Sequence, residues 1–162
     1  MKIIMGTFFL SLLSCCAFGQ DKAAIAAAEA GCGPEDLEFS VTTDESQHPA
    51  PAPENGKALI YVVQNAGTFK FGTDGKWLGA LKRGTYFYTS VEPGEHHLCV
   101  KGRLGIYKYV ALHGLNAKPG ETHYFFIRLV SSGYPELFFT EVDPDQGKEL
   151  VATSKFSSSH PK

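Results

Sequence analysis

Turn-forming residues interrupt the chain about every ten residues between positions 58 and 142. The segments between them are rich in aromatic and β-branched residues, which favour the pleated, half-buried surface of a sheet. The interruptions contain the Gly, Pro, Asn and Asp residues that tight turns require, at positions 65–67, 74–75, 83–84, 92–94 and 119–120. This spacing predicts a mainly β protein, an antiparallel β-sandwich.

Eight strands are predicted in this region, at residues 58–64, 68–72, 77–81, 85–91, 96–101, 107–113, 123–130 and 137–142. The first of them, ALIYVVQ, is apolar on both faces and is therefore predicted to be a central strand covered on each side. A short C-terminal helix is predicted to follow the last strand. Asp143 is a suitable N-cap for that helix, and Pro144 fits its first position.

Residues 1–20 have the layout of a secretory signal peptide. Lys2 precedes an apolar run that is too short to span a bilayer of about 30 Å, and Ala17 and Gly19 provide small residues at an A-x-G spacing. Cleavage there predicts an exported protein, periplasmic or extracellular, with no transmembrane segment in the mature chain. An alternative is that LLSC is a lipobox, in which case Cys15 carries a lipid anchor.

Removal of the signal peptide leaves two of the four cysteines, Cys32 and Cys99. Two thiols in a small exported domain predict a single disulfide, because such compartments are oxidising. The alternative is a pair of buried, unbonded cysteines. No C-x-x-C sequence remains in the mature chain, so thioredoxin-type redox chemistry has no support.

The ends of the mature chain differ in composition from the sandwich segment, residues 58–153. Residues 21–57 combine an Ala-rich stretch, an alternating strand at 36–43 and a Pro-rich connector, and they are predicted to form an arm tethered to the sandwich through Cys32. Residues 154–162, SKFSSSHPK, are predicted to be a flexible tail, because they are polar and contain four serines.

Three short motifs follow one another in the sandwich segment: D-G-K at 74–76, Y-F at 86–87 and P-G-E-H at 93–96. Together with the flanking sequences GKALIYVVQ, KPGETHYFFIRL and EVDPDQGKEL, they resemble the bacterial family called domain of unknown function 2846, over about residues 56–150. The resemblance implies a secreted or lipid-anchored envelope protein with PEGA-like hairpins and an immunoglobulin-like or transthyretin-like sandwich. The arm with Cys32 departs from the family's plainer pattern, and the resemblance implies no activity.

The distribution of charge and the absence of catalytic motifs argue against several classes of function. The 15 basic and 17 acidic residues are scattered along the chain, which predicts no basic face and argues against a nucleic-acid partner. No G-x-S-x-G, H-E-x-x-H, P-loop or Rossmann fingerprint occurs. We therefore expect a non-enzymatic module without a cofactor, which binds an envelope protein or a cell-wall component.

Two residue sets are candidate sites. Exposed aromatic rows on strands can bind glycans or peptides, and the candidate rows are Tyr86, Tyr88, Tyr107 and Tyr109. The alternative function is a metal-binding protein or a metal-dependent hydrolase, with ligands drawn from His96, His97, His113 and His123. Adjacent strand residues point to opposite faces, so the neighbouring pair among these histidines cannot bind one metal without distortion.

Overall fold

The computed structural model describes Ala26, Glu29 and residues 31–132 and 134–162. The predicted signal peptide and the predicted lipid site at Cys15 lie outside these residues. Of the predicted Ala-rich stretch, only Ala26 and Glu29 are described, and both are helical. None of the described helices is long and apolar enough to cross a bilayer.

Two β-sheets and one short helix near the C-terminus make up most of the described fold, which confirms the predicted sandwich-like architecture. One sheet has six strands in the order β1-β10-β5-β2-β8-β9, and the other has four in the order β4-β3-β6-β7. The strands are β1 (Phe39–Asp44), β2 (Ala58–Gln64), β3 (Thr68–Thr73), β4 (Lys76–Lys82), β5 (Thr85–Val91), β6 (Gly94–Leu104), β7 (Tyr107–Ala117), β8 (Thr122–Ser132), β9 (Tyr134–Val142) and β10 (Lys155–Pro161), and the helix is α1 (Pro144–Thr153).

The six-stranded sheet is mixed, although the turn spacing predicts an antiparallel arrangement. Strand β2 pairs in parallel with β8, and β5 pairs in parallel with β10. A parallel pair needs a long crossover connection, because its two strands run in the same direction. The chain makes the first crossover by building the entire four-stranded sheet between β2 and β8.

The main core lies between the two sheets. Strand β2 is buried along its whole length, as predicted, and its Ile60 and Val62 face the four-stranded sheet. From the opposite sheet β3 contributes Phe69 and Phe71, and β6 contributes the alternate residues Leu98 and Val100. Strand β8, beside β2, adds Phe125 and Ile127. This alternation is the period-two pattern by which the strands were predicted.

A second core covers the outer face of the six-stranded sheet. Helix α1 packs there through Val151, and the Pro-rich connector passes over two buried tyrosines. The hydroxyl of Tyr61 donates to the Pro51 carbonyl at 3.0 Å, and that of Tyr86 donates to the Pro49 carbonyl at 2.9 Å. Burial raises the pKa of each phenol to about 12, so both remain donors at neutral pH.

The C-terminal residues are ordered, so the predicted flexible tail at 154–162 is wrong. They form β10, which lies between β1 and β5 in the six-stranded sheet. The serines suit this position because two of their hydroxyls bond to the edge of β4. Ser159 Oγ accepts from the Ala80 amide at 2.9 Å, and Ser157 Oγ donates to the Ala80 carbonyl at 3.3 Å. Small polar side chains therefore join the two sheets at this corner.

Residues 31–38, called the strap below, cross the outer face of the four-stranded sheet before the chain enters β1. A disulfide joins Cys32 to Cys99 of β6, with the two Cα atoms 5.4 Å apart, which confirms the predicted pair. The indole Nε1 of Trp77 donates to the Pro34 carbonyl at 2.9 Å. The strap is thus fastened to the sheet by a covalent bond and by a buried aromatic contact.

Candidate functional site

The four candidate metal-binding histidines do not converge. His97 is exposed, whereas the ring of His113 packs edge-on against Phe125 with 5.0 Å between ring centroids. His123 lies at the rim of the core, where its Nδ1 is 2.7 Å from Glu141 Oε1. In the part of the chain that the structure describes, no three His, Cys, Asp or Glu side chains are grouped so that they could hold a metal ion.

His96, near the start of β6, bonds to the two neighbouring turns of the chain. Its Nδ1 lies 2.6 Å from Asp74 Oδ2, and its Nε2 lies 2.6 Å from the Glu92 carbonyl oxygen. Both partners are acceptors, so the ring satisfies both contacts only when both nitrogens are protonated. Asp74 sits at φ 52° in the predicted Asp-Gly turn, and its other oxygen accepts from the His97 amide at 2.9 Å.

Burial and hydrogen bonding have opposite effects on the ionisation of His96 and Asp74, and the hydrogen bonds prevail. Burial disfavours the imidazolium, but the bonds to Asp74 and to the Glu92 carbonyl outweigh it and raise the pKa of His96. Burial likewise works against the Asp74 carboxylate. The bonds from His96, from the His97 amide and from Thr73 nevertheless hold the pKa of Asp74 below its usual value.

The raised pKa of His96 predicts a pH-dependent stability. The contribution is fully present below the unfolded imidazole pKa of about 6.5, and it is lost as pH rises through the higher folded value. We expect the wild type to lose about 1 kcal/mol of unfolding free energy across this window, and His96→Gln to lose none. Urea unfolding at several pH values measures this. His97 is exposed and supplies the control, because His97→Gln should keep the wild-type dependence of stability on pH.

The candidate tyrosines do not form one exposed surface. Tyr86 is 0% exposed beneath the connector, so its predicted place in a binding surface is wrong. Tyr88 is half-buried and its ring stacks on Phe156 at 5.7 Å between centroids. Tyr109 is also half-buried, and its hydroxyl has no hydrogen-bond partner among the described residues. The backbone of Tyr107 lies in β7, but its side chain is outside the described part.

A groove of about 420 Å³, called the cationic groove below, lies between the strap and the outer face of the four-stranded sheet. Its walls carry five basic side chains against two carboxylates, those of Glu35 and Glu38. The expectation of no basic face is therefore wrong, because strand pairing brings together charges that are scattered in sequence. The five are Lys70, Lys101, Arg103, Lys108 and Lys162.

Two lysines in the floor of the groove hold the strap in place. The Lys70 ammonium donates to the carbonyls of Glu35 and Leu37 at 3.2 and 3.0 Å, and it lies 4.7 Å from the centre of the Trp77 ring. The Lys101 ammonium, on a side chain that is 15% exposed, is 3.4 Å from Glu35 Oε1 and 3.9 Å from Glu29 Oε2. One carboxylate of the strap thus already lies on the positively charged floor.

The pKa shifts in the groove follow from this crowding of positive charge. Burial and then the neighbouring Lys101 lower the pKa of Lys70. The hydrogen bond from Lys101, followed by the charges of Lys101 and Lys108, lowers the pKa of Glu35. The positive charges of the groove therefore favour the ionised form of a carboxylate and disfavour the ionised form of a neighbouring lysine.

The outer part of the groove has cations that the protein leaves free. Arg103 and Lys108 lie opposite each other on β6 and β7, both are exposed, and neither makes an ion pair within the described residues. Sequence reasoning missed this arrangement because it depends on register. Lys70 faces Lys101 across β3 and β6, and only the strand order places these pairs side by side. The sequence K-G-R at 101–103 is the one signal of this arrangement, because alternate residues of a strand point to the same face.

Comparison with protein-family models, with curated proteins and with solved structures finds no match for this chain.

Proposed function

We propose that this protein is an exported, non-enzymatic module that binds an envelope component, a protein or a cell-wall polymer, by holding an anionic group of that component in the cationic groove. The observation that carries the proposal is the excess of cations in the groove, five basic side chains against two carboxylates. Ammonium and guanidinium groups recognise carboxylates and phosphates through charge-assisted hydrogen bonds.

The accessibility of the groove supports the same function. The side chains of Arg103 and Lys108 are exposed and make no ion pair within the described residues, and the Glu35 carboxylate near Lys101 is exposed as well. An incoming anion can therefore reach both cations directly, and it competes with the Glu35 carboxylate for Lys101. The disulfide is compatible with export, because such bonds persist in oxidising compartments.

Trp77, the only tryptophan of the chain, reports on this site because its ring lies beside the Lys70 ammonium. Titration with sodium tripolyphosphate at low salt is expected to change the Trp77 fluorescence in a saturable way. Lys108→Glu should weaken the apparent affinity about tenfold, since it replaces an attraction by a repulsion near the protein surface.

The matched control is Lys76→Glu, an exposed lysine at the far end of β4 that makes the same change of charge without lining the groove. It should leave the affinity within twofold of the wild type. Binding that falls equally in both variants would reflect overall charge alone, and an absence of saturable binding to the wild type would remove the groove as the site.

A further inference from the structure

Four chain reversals of the sandwich lie at one end, called the hairpin end below. Strand β2 ends at Gln64, and β3 begins at Thr68, opposite Arg103 near the end of β6. The Gly84 amide, in the β4–β5 turn, donates to the Gln64 carbonyl at 3.0 Å. Gln64 also lies opposite Ile127 of β8, so the β8–β9 hairpin continues past the end of β2. The tips of β6–β7 and β8–β9 therefore project on the same side.

Positive charge is concentrated at the hairpin end. It carries five exposed basic side chains, Lys82, Arg83, Arg103, Lys108 and Arg128. Near the tips of the two hairpins the structure places one carboxylate among the described side chains, that of Glu136 opposite Val130. At the β1 corner of this end, the Glu45 carboxylate is ion-paired with Lys155, and Asp44 accepts hydrogen bonds from Ser46 and Gln47.

The opposite end has the reverse charge. Its turns, strand ends and helix start carry seven carboxylates against three ammonium groups: Asp74, Glu92, Glu95, Glu121, Glu141, Asp143 and Asp145 against Lys57, Lys76 and Lys118. A chain with a formal charge of −2 is thus strongly polarised along the strand direction. Such a field orients the molecule, with the hairpin end foremost, toward any negatively charged surface.

Exposed apolar side chains accompany the positive charge. Ile106, at the tip of the β6–β7 hairpin, is 89% exposed, and Val130, near the tip of the β8–β9 hairpin, is 39% exposed. Both stand on projecting hairpins and not in a concave pocket. A convex surface that combines apolar tips with surrounding Lys and Arg side chains suits the interface of a bilayer, where acyl chains and charged headgroups meet.

We propose that the hairpin end docks on an anionic phospholipid surface, with Ile106 and Val130 inserted among the headgroups and the basic side chains facing lipid phosphates. This interaction goes beyond the binding of an anionic group in the groove. Three of its residues, Ile106, Arg83 and Arg128, do not line the groove, so the two activities are separable. An acidic protein partner would use the charges but would not require a tip side chain that inserts into lipid.

Vesicle co-sedimentation tests the proposal with the whole protein. We expect binding to vesicles of phosphatidylcholine and phosphatidylglycerol in a 3:1 ratio, and little binding to pure phosphatidylcholine. Ile106→Ser should weaken binding to the anionic vesicles about tenfold, because it removes the inserted apolar group. The double variant Arg83→Glu/Arg128→Glu should weaken it at least about tenfold, since each change replaces an attraction by a repulsion.

Controls separate the proposal from its rivals. Lys76→Glu/Lys118→Glu reverses two charges at the opposite end, and its vesicle binding should stay within about twofold of the wild type. The high exposure of Ile106 makes Ile106→Ser a safe variant for folding, which circular dichroism checks. Absence of binding to anionic vesicles overturns the proposal. Binding that Ile106→Ser leaves unchanged also overturns it, because the vesicle contact would then be electrostatic without an inserted side chain.

Discussion

Loss of the Cys32–Cys99 disulfide is expected to lower the free energy of unfolding by about 4 kcal/mol. The two cysteines are 67 residues apart, so the bond removes a large amount of conformational freedom from the unfolded chain. Release also frees the strap from the outer face of the four-stranded sheet, where Trp77 and Cys99 are almost fully buried. Both effects act in the same direction.

Thermal unfolding of Cys32→Ser/Cys99→Ser, and of the wild type with and without reductant, measures this loss. The melting temperature should fall by on the order of 10 °C, and the reduced wild type should match the double variant. Trp77 emission in the native state reports separately on the strap, because its Nε1 bonds to the Pro34 carbonyl. An unchanged melting temperature after complete reduction would show that the noncovalent contacts of the strap suffice.

Gly147→Ala is expected to destabilise the protein by about 2 to 3 kcal/mol, although alanine is the better helix former by about 1 kcal/mol. Gly147 lies in α1 against the six-stranded sheet, and a Cβ at this position would overlap the Tyr124 ring. That ring cannot move aside easily, because it stacks on Tyr61 with 5.2 Å between centroids. The helix must therefore lift away from the sheet.

Chemical denaturation of Gly147→Ala measures the cost, with Lys148→Ala as the control at the next, exposed position of the same helix. The control should remain within about 0.5 kcal/mol of the wild type. If Gly147→Ala were instead as stable as the control or more stable, the close packing of α1 on Tyr124 would be wrong.

Local chemistry made much of the fold predictable. The Asp-Gly turn at 74–75 has the positive φ values, 52° and 79°, for which these residue types were identified. The helix begins as predicted, with Asp143 Oδ1 accepting from the amides of residues 145 and 146. These features depend on two to four neighbouring residues, so the sequence around them contains the necessary information.

Features that depend on distant pairing were not predictable. The serines of β10 are typical of a solvated tail, and they form a strand because β1 and β5 pair with its backbone on both sides. The groove has the same origin, since Lys70 and Lys101 are 31 positions apart in sequence and become neighbours only through the β3–β6 register. Burial of Tyr86 likewise depends on where the proline-rich connector passes, because the Pro49 carbonyl accepts a hydrogen bond from its hydroxyl.

The position of β10 has a consequence for the order in which the protein can be assembled. Strand β1 reaches the rest of its sheet through β10, which is the last described strand to be synthesised. Strand β1 therefore has no backbone partner in this sheet until Lys155–Pro161 have been synthesised. Closure of the six-stranded sheet is therefore expected to be a late step of folding, because β10 joins β1 to β5.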